Sequence, residues 1–143
     1  MNIVLLEDDH LQADWIRSEL VSELGASVRV VRTEMEFREI LSEWQEHPPD
    51  IVVLDVIVRW TDPRADIPRP PEDVRNGPAR AGIRCGRRFA EYCPNVPIIL
   101  YTVLDAVDLE ADLTGLPERV ITLSKEATST PLINAIGLLL GRD

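Results

Sequence analysis

The sequence predicts an α/β fold: a five-stranded parallel sheet, order 2-1-3-4-5, with helices on both faces. Three observations predict it. Short apolar runs alternate with helical apolar periods along the chain. The first and third runs, Ile3–Leu6 and Ile51–Leu54, are apolar throughout, as strands buried on both faces are. Four of the five runs end in a polar residue of chemical use, which suits an open sheet whose site lies at the carboxyl ends of its strands.

The elements follow in order. Ile3–Leu6 is the first strand. Leu11 to Leu24 is apolar at 11, 15, 16, 20, 21 and 24, a helical period closed by Gly25 as a C-cap. Trp15 lies on that apolar face and is expected in the core. Ser27–Val31 is the second strand, and Arg29 within it marks a sheet edge. Thr33 and Glu36 form a capping box for a helix to about Trp44, another core residue, and His47-Pro48-Pro49 ends it. Ile51–Leu54 is the third strand.

From 58 to 80 the pattern lapses. This stretch holds five of the chain's 11 prolines and reads as a long, Arg- and Pro-rich loop insertion within a single domain of residues 1–143. Trp60 opens it and is the tryptophan expected to face a partner. Ala81–Tyr92 resumes a helix. Ile98–Tyr101 is the fourth strand, Asp105–Leu113 a short acidic helix, Val120–Leu123 the fifth strand, and Thr130-Pro131 begin a last helix to about Leu140. From Ala127 to Gly141 there is no charged residue, so this helix has either a wide core face or an exposed apolar patch for a homodimer or an effector.

Composition narrows the function. The chain has 143 residues, 25 acids against 15 basic residues, and a net charge of −10, which disfavours direct nucleic-acid binding. Eight of the basic residues fall between Arg59 and Arg88 with only four acids. No apolar run approaches the roughly 20 residues that cross a bilayer. Cys85 and Cys93 lack metal-ligand or redox spacing and read as reduced thiols, giving a cytoplasmic address. Of the 15 basic side chains only Lys125 is a lysine, which singles it out.

The strand ends carry the chemistry: Asp8 and Asp9 after the first, Asp55 after the third, Thr102 after the fourth and Lys125 after the fifth. With strands one and three adjacent, Asp8, Asp9 and Asp55 share one crevice. Their mutual repulsion is relieved by a hard dication, and Mg²⁺ prefers such oxygens and is often shared with a phosphate. Beside it a carboxylate can take a phosphoryl group. A lysine ammonium and a threonine hydroxyl supply a charge and a donor for the phosphoryl oxygens. Glu7 reads as structural. His10 reads as an exposed residue at the helix start, since Mg²⁺ favours oxygen.

This ordered set resembles the receiver domain of two-component response regulators, over nearly the whole chain. The resemblance implies a flavodoxin-like fold and phosphorylation of Asp55 by a sensor histidine kinase or phosphotransfer protein. It implies direct Mg²⁺ ligation by Asp9, Asp55 and the backbone carbonyl of Ile57, with Asp8 acting through water. It implies phosphoryl contacts from Thr102 and Lys125, and a switched contact with a downstream effector. The chain would catalyse only its own phosphorylation and dephosphorylation.

Three features depart from the family. Asp55 and Thr102 are 47 residues apart, the excess lying in 58–80, with Gly82 taking the place of a loop glycine. Thr122 stands where the family has an aromatic switch partner of Thr102. Glu126 replaces a proline after Lys125. A pseudo-receiver, binding partners without phosphorylation, is the alternative. A phosphatase with an Asp nucleophile would carry an acid at Ile57, and a nucleotide-binding fold would show a Gly-rich first turn.

Overall fold

The computed structural model describes all residues except 63–69, 75–76, 105–108, 110–112, 114–115, 118 and 142–143. Five strands, β1 (Asn2–Leu6), β2 (Ser27–Val31), β3 (Ile51–Leu54), β4 (Ile98–Thr102) and β5 (Val120–Ser124), form one sheet in the order β2-β1-β3-β4-β5. Every pairing is parallel. β2, which carries Arg29, is an edge strand, as its sequence indicates.

Strand periodicity divides the core in two. Val4, Leu6, Val52, Leu54, Ile98 and Leu100 point to one face, where they meet α2 (Glu34–Glu46) and α3 (Ala81–Tyr92). Ile3, Leu5, Ile51, Val53, Ile99 and Tyr101 point to the other, against α1 (His10–Leu24) and α4 (Thr130–Leu139). On the first face Phe37, Trp44 and Phe89 form an aromatic cluster. Trp44 meets Phe37 and Phe89 edge-on, at centroid separations of 5.0 and 5.8 Å. The acidic helix expected over 105–113 lies largely outside the described residues; Leu109 within it is buried in the first core.

The helix ends are chemically specified. Asp9 caps α1, its Oδ1 accepting the Gln12 N–H at 3.0 Å. Gly25 ends α1 at φ 62°, where a residue without Cβ carries no strain. Thr33 Oγ1 accepts the Glu36 N–H at 3.1 Å. The Glu36 carboxylate reaches back to the Arg32 N–H, one residue beyond the usual box. Trp44 is core, but Trp15 is not: it is 40% exposed. Its helix buries the stripe Ala13, Ile16 and Leu20, which turns Leu11 and Trp15 to the flank.

The segment after β3 is docked, at least through its described residues. The carbonyls of Arg59 and Trp60 accept the first amides of α2, those of Glu34 and Met35, at 3.0 and 2.9 Å. Trp60 is half-buried, and the Arg38 guanidinium lies over its ring, 5.4 Å from the centroid. A 3₁₀ turn at Glu72–Val74 places Asp73 between Arg38 (2.7 Å) and Arg88 (3.1 Å). Arg84 binds the fully buried Glu34 through two nitrogens, at 2.7 and 2.9 Å, and also donates to the Gly77 carbonyl. No signal in the apolar periodicity points to this network.

Candidate functional site

β1 and β3 pair in register, Leu6 opposite Leu54, and the Asp55 N–H donates to the Leu6 carbonyl at 3.0 Å. The residues that follow, Glu7 and Asp55, therefore leave the sheet at one level. Glu7, Asp8 and Asp55 each offer a carboxylate oxygen, all lying within 4.8 Å of one another. Asp9 is outside this group, its side chain being turned to the N-terminus of α1. The expected acidic pair was thus displaced by one residue. The pair facing Asp55 is Glu7 and Asp8, which makes Glu7 a candidate ligand that the sequence reading had set aside as structural. The signal was present: two four-residue apolar runs, aligned end to end, bring Glu7 level with Asp55.

Lys125, at the end of β5, closes the crevice. Its ammonium donates to Glu7 Oε1 (2.5 Å), Gln12 Oε1 (2.8 Å) and Asp55 Oδ2 (3.0 Å). Gln12 had no role in the sequence reading; it reaches the crevice because Asp9 starts the helix one turn earlier. Burial pushes the Glu7 carboxyl above its usual range and Asp55 adds to that, while Lys125 opposes it. Burial acts to lower Lys125, but the Glu7 hydrogen bond and the Asp55 and Glu7 charges outweigh it and raise its pKa.

Thr102 ends β4, fully buried, its Oγ1 accepting the Leu104 N–H at 3.2 Å. Its carbonyl accepts the Lys125 N–H at 2.8 Å, which fixes the lysine's backbone beside the β4 end. Thr122 pairs with Leu100 in the β4–β5 ladder. Burial raises the pKa of Tyr101, the neighbour of Thr102, while the Glu126 backbone and the Lys125 charge act to lower it. Ile57 is partly exposed, and its N–H approaches Asp55 Oδ1 at 3.4 Å.

Two further groups shape the crevice. Gly82, in the first turn of α3, donates its N–H to the Val56 carbonyl at 2.9 Å. A Cβ there would fall 2.0 Å from the Asp55 carbonyl oxygen, so only glycine allows α3 to approach. Arg59 lies on Asp8: its N–H donates to Oδ2 at 3.1 Å and its Nη2 to the Asp8 carbonyl at 2.9 Å. The donor set suits Mg²⁺, being three carboxylates with no sulfur or imidazole among them.

An all-parallel 2-1-3-4-5 sheet with acids closing β1 and β3, threonine closing β4 and lysine after β5 is the arrangement that the resemblance to response regulator receiver domains leads one to expect. No protein-family model matches the sequence, and no curated protein matches it. Solved structures do. A response regulator receiver protein from Sinorhizobium medicae WSM419 is 26% identical, with a TM-score of 0.71 over 99% of this chain and 94% of that one. A LuxR-family two-component response regulator from Aurantimonas sp. SI85-9A1 is 19% identical, with a TM-score of 0.69 over 99% of this chain and 86% of the other. The BeF₃-activated receiver domain of DrrB is 18% identical, with a TM-score of 0.69 over 99% and 97%. This chain has the fold of response regulator receiver domains.

Proposed function

We propose that the chain is a phosphoryl-accepting switch, in which Mg²⁺-dependent transfer from a phosphohistidine to Asp55 alters its protein contacts. The observation that carries this is the Asp55 carboxylate, 3.0 Å from the Lys125 ammonium and clustered with Glu7 and Asp8. Glu7, Asp8 and Asp55, with the Ile57 carbonyl, are the residues that would hold the ion. Bound Mg²⁺ would neutralise charge on the phosphoryl oxygens.

The chain's own residues do the rest. An Asp55 oxygen attacks phosphorus; the new O–P bond forms as the P–N bond breaks, and the imidazole leaves with the electron pair. Lys125 pairs with the charge gathering on the phosphoryl group. Thr102 keeps its hydroxyl proton to donate to a phosphoryl oxygen, since its present bond uses the oxygen as acceptor. Effector contact, or a second copy docking on α4, where Leu138 is 81% exposed, would read the change.

The test is the intact mass after incubation with Mg²⁺ and acetyl phosphate. One phosphoryl adduct is expected, and none in Asp55→Asn. A pseudo-receiver that never takes phosphate is the second reading; Thr122 in the aromatic switch position and Arg59 on Asp8 favour it. The wild-type protein remaining unmodified would establish it.

A further inference from the structure

We infer that Arg59 is a built-in competitor of the divalent cation at Asp8, so that an arriving ion releases one side chain at the root of the 59–80 segment. The inference rests on the metal reading above.

The backbone of Arg59 is held on both sides. Its N–H donates to Asp8 Oδ2 at 3.1 Å, and its carbonyl accepts the Glu34 N–H at the start of α2, at 3.0 Å. The side chain is not so fixed. Its Nε stands 3.6 Å from Asp8 Oδ2, its Nη2 donates to the Asp8 carbonyl, and its Nη1 is 3.6 Å from the exposed Asp62. The guanidinium thus lies between a carboxylate of the metal set and an acid of the segment itself.

A dication on Asp8 and a guanidinium on the same carboxylate repel each other. With the backbone pinned, the relief open to the site is a swing of the side chain toward Asp62. The residue before Trp60 then changes partner while α2 keeps its cap. Ion occupancy is in this way passed to the face where Arg38, Trp60 and Asp73 meet, with no movement of the strand ends.

The sign of one measurement separates this from a plain supporting role. If Arg59 merely orients Asp8, removing its side chain weakens Mg²⁺ binding. If it competes, removal strengthens binding. Mg²⁺ is titrated calorimetrically into the full chain, as wild type, Arg59→Ala and Arg59→Met, with thermal unfolding in chelator as the folding control. Both variants are expected to fold, because the two backbone bonds survive, and to bind Mg²⁺ up to about fivefold more tightly, the scale of one partly exposed ion pair. Arg59→Lys, which keeps the charge, stays near wild type. Equal or weaker binding in Ala and Met, with wild type binding normally, overturns the inference and leaves the metal site standing. No Mg²⁺ binding by any of the four proteins removes the metal reading and this inference together.

Discussion

Glu7 and Asp9 show how far one residue's position can move its chemistry. Both are acids next to Asp8, yet Glu7 is buried against Lys125 and Asp9 caps a helix. The consequence is measurable in opposite directions. Asp9→Ala should cost about 1 kcal/mol of stability, the usual value of an N-cap, and leave Mg²⁺ affinity nearly unchanged. Glu7→Gln should weaken Mg²⁺ binding, because it removes one of three negative charges while keeping the shape. Denaturant unfolding and metal titration on the two variants check both expectations; loss of metal binding in Asp9→Ala would restore the pairing first read from the sequence.

At the level of elements, α3 packs directly on the backbone of Asp55 and Val56. Its entry depends on Gly82, whose missing side chain leaves room for the Asp55 carbonyl. Gly82→Ala should destabilise the fold by at least about 2 kcal/mol, since backbone and not a pliable side chain must yield. It should also slow phosphorylation of Asp55, which would be displaced. A melting curve together with an acetyl phosphate time course tests this, and a variant with wild-type values for both would show that α3 can shift freely. The sequence marked Gly82 as a substitute for a family glycine but could not say what it touches. The capping residues Asp9, Thr33 and Gly25 act over one turn, which is why two of them, Thr33 and Gly25, were legible without coordinates.

Across the whole molecule, the described part of the 58–80 segment is tied to α2 and α3 by ion pairs from Asp73 to Arg38 and Arg88. Asp73 is held down to about pH 2 by its hydrogen bond to Arg38, with Arg88 adding to this, although burial opposes. A carboxyl whose folded pKa is depressed adds stability above its unfolded value, near 4, and loses it as pH falls toward 2. The effect is small, since Asp73 is 45% exposed and solvent screens the pair. Proteolysis within the segment should therefore become easier between about pH 4 and pH 2. Asp73→Asn should show that ease already at neutral pH. An identical cleavage rate in the variant would mean that other contacts hold the segment. Glu34 sits deeper, with no exposed surface, and its two arginine partners make α2 and α3 one electrostatic unit. Cys85 in the same core has its thiol pushed well above the usual range by burial, and Glu34 adds to that.

The sequence by itself determined the sheet, its order and the polar residue closing each of four strands. Strand burial, helical period and end caps are local patterns, and a parallel sheet leaves few topologies for them. Only the tertiary structure decided which acids meet. Register between β1 and β3 chose Glu7 over Asp9, and the return path after β3 set Arg59 on Asp8 and Asp73 between Arg38 and Arg88. Those contacts join residues far apart in the chain, and their energy comes from charge and direction in space, which periodicity does not encode.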